Sequence, residues 1–210
     1  MKQSLYISSY CTIEKGIVNL NGKEIFRSNN PLEFEIFAKE IYKTFEFSYP
    51  KYFKMDNLSK LGYVCSELLI RETKITERYV KENISILFQN SASSLNTDIE
   101  YQKTYINKSE YFPSPALFVY TLPNIVIGEI CIAHKITGEN ALFVSETFNH
   151  EALYSQVLNI FSTTKTEVII CGWIDFNPFE FKKYSAKLFI IEKQNEGYSK
   201  EFNLANFKSV

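Results

Sequence analysis

The 210-residue chain has only 7 glycines and 6 prolines. That is too little turn and linker material for a string of modules, and no internal repeat or low-complexity tract interrupts it, so one domain is expected. Charge of one sign is missing as well: 23 Lys and Arg stand against 24 Asp and Glu, a net charge of -1. A protein that grips a phosphate backbone normally carries a basic excess, so nucleic acid is not an expected partner. No apolar run approaches the roughly 18 residues that span a bilayer. The opening, Met1–Tyr10, has neither the apolar stretch nor the small-residue cleavage site of an export signal. Cys11, Cys65, Cys131 and Cys171 include no C-x-x-C pair. Reduced cytosolic thiols and a cytoplasmic location are therefore expected. No metal and no cofactor is implied.

Aromatic residues are plentiful. Eighteen Phe and 14 Tyr accompany a single Trp. Such a content calls for a large aromatic core or an aromatic contact surface. With 45% apolar and 22% charged residues the chain is otherwise ordinary for a globular domain.

Residues 3–10 read as a first strand. Residues 31–46 read as a helix, with Asn30 as N-cap, Pro31 in the first helical position and Glu33 as the capping-box acid. Residues 57–71 form a stronger helix, capped by Asp56, with Leu58, Leu61, Cys65, Leu68 and Leu69 on one face. NISILFQ at 83–89 reads as a buried strand, followed by a polar loop and a short helix at 98–107. The apolar stretch 114–135 is split by Pro115 and Pro123 into helical pieces at 115–122 and 124–135, the second closed by Gly138. ALFVS at 141–145 is a short strand, and Asn149 caps a helix over 149–162. EVIICGWI at 167–174 suits a central strand covered on both faces, and AKLFIIEK at 186–193 is another strand. The remainder, 194–210, reads as a loosely packed C-terminal tail. This order predicts an α/β domain with a mixed sheet covered by helices on both faces.

Six segments in this order resemble one family. YISSYCTIEKGI (6–17) resembles the opening of a β-ketoacyl synthase. YFKMDNLSKLGYVCSELLI (52–70) resembles its entry into the next helix, and ISILFQNSASSLNTD (84–98) the strand and loop that follow. FPSPALFVYTLPNIVIGEICIAHKITGEN (112–140) is the sharpest match, with its Leu-Pro-Asn step, its glycine and its final Gly-x-Asn. VIICGWID (168–175) and AKLFIIEK resemble the strands that close the unit. The resemblance covers residues 3–193. It implies a thiolase fold, of which this chain looks like the N-terminal half.

The resemblance also implies what is missing. The family holds a Cys nucleophile at a strand-to-helix turn, where a helix N-terminus stabilises the thiolate. The corresponding turn here is Val144-Ser145-Glu146-Thr147-Phe148, which leaves Glu146 or Thr147 at the vacant nucleophile position. The two catalytic His residues of the family belong to its C-terminal half, and His134 and His150 do not match them. What is implied is a non-catalytic subunit resembling a chain-length factor. It would pair with a full-length ketosynthase, and with acyl carrier protein, in fatty-acid, aryl-polyene or polyketide-type synthesis. Phe118, Tyr120, Leu122, Asn124, Gly128 and Phe143 are the expected tunnel or interface residues.

Two other readings follow from the residues themselves. Ser145 with His150 as base would make an acyltransferase or hydrolase. An aromatic cavity holding a lipid or acyl chain would make a binding module with no synthase partner. The four cysteines are better read as packing than as nucleophiles.

Overall fold

A computed structural model describes residues 4–107, 109, 111–177, 183–194 and 197–210. The chain opens with β1 (Tyr6–Glu14), β2 (Ile17–Leu20) and β3 (Lys23–Arg27). Then come α1 (Phe34–Thr44), α2 (Asn57–Thr73), α3 (Ile75–Arg78) and β4 (Ile84–Asn90). The helices α4 (Leu95–Lys103), α5 (Pro115–Phe118) and α6 (Ile125–His134) lead to β5 (Asn140–Val144) and α7 (His150–Thr163). The strands β6 (Val168–Asn177), β7 (Lys183–Glu192) and β8 (Lys200–Glu201) precede a last helix, α8 (Leu204–Ser209).

The strands form one mixed sheet in the order β3-β2-β1-β7-β6-β4-β5, with β8 beside β1. The pairs β5–β4 and β4–β6 are parallel, whereas β7 runs antiparallel to both β6 and β1. Alternation along the central strands builds two cores. Ile84, Ile86, Phe88, Ile170, Leu188 and Ile190 face one side, where α1, α2 and α6 pack. Leu87, Ile169, Cys171, Phe189 and Ile191 face the other, against Leu153 and Val157 of α7 and Phe207 of α8. The expected α/β mixed sheet with helices on both faces is the observed architecture.

Helix α2 is the hub of the first core. Asp56 caps it by accepting a hydrogen bond from Ser59 N (2.9 Å), and its other carboxylate oxygen accepts one from Thr97 Oγ1 (2.7 Å), which ties α4 to α2. Gly62 lets α6 approach: a Cβ there would lie 2.5 Å from Val126 Cγ2. Gly172, in β6, has φ +146, and a Cβ would fall 2.1 Å from the Lys187 carbonyl oxygen. Gly172→Ala is therefore expected to destabilise the protein by about 3 kcal/mol or more, through backbone strain and overpacking, as read by urea unfolding.

Several elements differ from the sequence reading. The first strand runs on to Glu14 and turns twice, at Lys15-Gly16 and Asn21-Gly22, all four residues having positive φ. The resulting β1–β2–β3 meander was signalled by Asn-Gly, a preferred two-residue hairpin turn. Helix α1 begins at Phe34, and Glu33 occupies its cap position with no side-chain cap bond. Pro31 is outside it because its carbonyl accepts the Tyr184 hydroxyl (3.0 Å) and its ring packs on Gly16. Helix α4 starts at residue 95, since the Asn90 side chain bonds both the N–H and the carbonyl of Ser93 and closes the loop early. Helix α5 ends at Phe118 and continues as a 3-10 turn over Val119–Thr121. Lys135, in the left-handed conformation, ends α6, while Gly138 lies against the backbone of β4. The C-terminal segment is not loosely packed among its described residues: Phe202 and Phe207 are buried in the second core.

Candidate functional site

The parallel strands β4, β5 and β6 bring their carboxyl ends together, the position where open α/β sheets hold their ligands. Beyond β4 stands Ser91, beyond β5 the turn Ser145–Asn149, and near the end of β6 Trp173 and Asp175. Ser91, Glu146, Thr147, Phe148, Trp173 and Asp175, with Ala92, Leu95, Asn177 and Ser185, line a cleft of about 630 Å³. A second cleft of about 500 Å³, sharing Phe148, Trp173 and Ser185, continues across β7 and β1 to β2.

Asp175 organises the first cleft. It accepts the Ser91 N–H (2.9 Å) and, through both oxygens, the Ser91 hydroxyl (2.9 and 2.8 Å). The serine proton is thus directed to a carboxylate with no histidine between, an arrangement that fixes the loop and does not activate a nucleophile. Glu146 and Thr147 lie exposed in the β5–α7 turn, just ahead of the Asn149 cap, whose side chain accepts from Ala152 N (3.0 Å).

The candidate nucleophiles do not assemble. Ser145 Oγ donates to the Thr147 carbonyl (2.9 Å), and no hydrogen bond joins it to His150. The His150 ring packs on Phe148, 3.9 Å between centroids, and against Phe207. Burial first, and the Lys187 charge second, push its pKa below the ordinary value. Cys11, Cys65 and Cys171 are buried, and burial raises the Cys65 and Cys171 thiols. Burial also lifts the half-buried Cys131 thiol to about 11. His134, at the end of α6, has its Nε2 2.9 Å from Glu67 Oε2.

The expected tunnel and interface residues separate into two places. Phe143, half-buried, joins the second core on the far side of the sheet from α6. The others lie on α5, α6 and the turn between them. Phe118 is 53% exposed and Leu122 49% exposed. Asn124 is exposed at the start of α6 without making a side-chain cap. A Cβ at Gly128 would make only ordinary contact, so nothing in this chain requires glycine there. Tyr120 is buried instead, with its hydroxyl 3.0 Å from Glu129 Oε1. Glu129, fully buried, is also paired with Lys51 at 2.8 Å. Glu129, held between buried Tyr120 and exposed Lys51, anchors the segment that displays Phe118 and Leu122.

That segment belongs to a wider apolar surface. Ile106, Tyr111, Phe112 and Val119 are exposed as well, and Tyr101 contacts both Tyr105 and Phe118. Patches of this kind on an otherwise ordinary surface mark interaction sites. Strand β5 ends the sheet and pairs only with β4, leaving its outer edge open among the described residues, with Val144 60% exposed. No single described helix is long and apolar enough to cross a membrane; the pieces Pro115–Thr121 and Ile125–His134 are bent by 101° from each other.

No protein-family model and no curated protein matches the sequence. Solved structures do match. One is a type II PKS acyl-carrier protein in complex with its ketosynthase bound to the hexaketide, with TM-score 0.60 and 11% identity over 91% of this chain and 64% of that one. The ishigamide ketosynthase/chain length factor gives TM-score 0.59 and 11% identity, covering 90% of this chain and 62% of the other. The chain has a ketosynthase-like fold. A ketosynthase in complex with its chain length factor from Xenorhabdus doucetiae matches at TM-score 0.55 and 14% identity, over 92% of this chain and 80% of that one. The chain thus spans under two thirds of the first two structures. The thiolase-like, α/β architecture implied by the six segments is the one observed.

Ser91, Trp173 and Asp175 are not among the residues that the sequence reading singles out. A usable signal existed: Trp173 and Asp175 alternate at the carboxyl end of the apolar run 167–174, where nothing in packing calls for an acid.

Proposed function

We propose that this chain is a non-catalytic ketosynthase-like subunit that pairs with an active ketosynthase and supports or shapes its acyl-chain tunnel, in the manner of a chain-length factor. The observation that carries the reading is the β5–α7 turn. By the sequence resemblance this turn corresponds to the one from which the family presents its thiolate, and it holds Glu146 and Thr147 with no cysteine. Neither a carboxylate nor a hydroxyl performs thioester exchange there as a thiolate does. The cysteines elsewhere are packed, and Ser145 and His150 make no couple.

The surface supports a partner. The edge of β5 and the patch Phe112–Leu122 are open. The outward side of α7 is polar by contrast, with Ser155, Gln156, Asn159, Ser162 and Thr163 all exposed. The partner is accordingly assigned to the patch and the strand edge, with Phe118, Leu122, Asn124 and Gly128 at or near the contact. The neighbours named as ketosynthase complexes with chain length factor or acyl-carrier protein suggest the same partners here. Fatty-acid, aryl-polyene and polyketide settings all suit this role, in a cytoplasmic enzyme complex.

Reconstitution tests the role. A ketosynthase supplied with its carrier protein is expected to change its yield or product chain length when this chain is added. Identical products with and without it would overturn the assignment. The turn has its own test. Thr147→Cys is expected to accept an acyl group from a thioester donor in the assembled complex, seen as an acyl adduct by intact mass. A folded complex that never acylates would show that the turn is not the vacant nucleophile position.

A further inference from the structure

Lys187 is a cation without a counter-charge. It pairs with Trp173 across β6 and β7, on the sheet face that carries Phe189, and it is half-buried in the lining of the 500 Å³ cleft. Among the described residues no carboxylate forms an ion pair with it; Glu14, the one acid in that lining, lies 3.8 Å from Lys15. Its ammonium instead stands 5.7 Å from the Phe189 ring centroid. Burial lowers its pKa, the mark of a charge held away from water without compensation.

The surroundings add positive potential and a flat wall. His150 begins the 14-residue helix α7, its Nε2 is buried without a hydrogen-bond partner, and the Lys187 charge is felt at its ring. The positive end of the helix dipole therefore lies close to Lys187. Phe148 and Trp173 are stacked, with centroids 6.1 Å apart and planes at 29°, and both contribute to the cleft. Thr12, Asn19 and Ser185 supply hydrogen-bonding side chains around them. The cleft's size matches a small molecule.

We propose that this cleft binds a small ligand bearing a carboxylate or phosphate on a planar aromatic or conjugated body, with Lys187 pairing with the anion and Trp173 and Phe148 taking the body. The anion supplies the counter-charge that the protein omits. A planar body would lie against Trp173, which belongs to neither core, and the edge of Phe148, which packs on the second core through Phe207. The site stands apart from the apolar patch and is independent of the accessory-subunit reading.

The chain's single tryptophan lies in this cleft, so its fluorescence reports the site directly. The full chain is titrated with benzoate and phenyl phosphate, and in parallel with inorganic phosphate and neutral benzyl alcohol. Saturable change is expected with an aryl anion, at least about tenfold weaker with benzyl alcohol and with inorganic phosphate, since a charge-assisted contact contributes that much. Tighter binding of benzoate or of phenyl phosphate identifies the anion as carboxylate or phosphate. Lys187→Arg should retain binding and Lys187→Met should weaken it about tenfold or more, with an unchanged circular dichroism spectrum as the check on folding. No saturable response to either aryl anion, equal binding of benzyl alcohol, or undiminished binding in folded Lys187→Met would each overturn the proposal. The comparison of charged with neutral probes on the unaltered protein decides the matter even if Lys187→Met fails to fold.

Discussion

Replacing Phe118 and Leu122 together by aspartate is expected to weaken association with a ketosynthase partner at least about 100-fold while leaving the fold intact. Both side chains are roughly half exposed, at 53% and 49%, so little of the core is lost by changing them. At a buried contact the same residues would be desolvated anchors. A central anchor typically contributes about 2 kcal/mol or more, and about 2.8 kcal/mol is a factor of 100 in affinity. Two carboxylates placed in an apolar contact add a desolvation cost on top. The measurement is a binding isotherm of the variant against the purified ketosynthase, with urea unfolding of the free chain as control. Unchanged affinity would remove the 112–122 surface from the interface.

The largest effect on stability is expected at Arg78→Met. Glu192, at the end of β7, is fully buried, and Arg78 Nη2 reaches its Oε2 at 2.9 Å. The Tyr79 hydroxyl donates to the same oxygen at 2.6 Å. The arginine also donates to the Thr73 carbonyl at the end of α2 (3.2 Å), so one side chain fastens α2 and α3 to a strand more than 110 residues later. Removing it strands a carboxylate in the interior. Breaking a buried pair in this way costs about 3–5 kcal/mol, a large part of a typical domain's stability. Arg78→Met/Glu192→Leu is expected to recover much of the loss, because no buried charge is then left alone. A loss below about 1 kcal/mol in the single variant would show that Glu192 is compensated by other groups.

Sequence pattern alone carried most of the central architecture. The runs at 83–89 and 167–174 read as buried strands, and the structure buries the strands found there, Ile84–Asn90 and Val168–Asn177, over most of their length. Asp56 and Asn149 are side-chain caps, and each is visible as a short polar residue ahead of an amphipathic run. The meander escaped because β2 and β3 are short and only partly buried, so their alternation is weak. Pro31 misled in the opposite direction: a proline in a favourable helical position was held outside the helix by a tertiary hydrogen bond from Tyr184. The C-terminal helix was missed since its six residues hold only one buried apolar group, Phe207, whose role depends on packing partners far away in sequence.

The functional surfaces divide in the same way. The apolar patch was legible, because residues 112–135 carry more apolar side chains than one helical face can bury. The cleft was not. Ser91, Asp175 and Lys187 are unremarkable one at a time, and only the sheet order sets them beside the β5–α7 turn. The proposed vacant nucleophile position at Glu146 and Thr147 rests on family likeness, and no local pattern marks it.

The most direct test of the accessory role is affinity purification of the tagged chain from its native cells, with mass spectrometry of what is bound. The account predicts a full-length ketosynthase in stoichiometric amount, lost in Phe118→Asp/Leu122→Asp. Recovery of the chain alone, as a well-behaved monomer, would contradict it.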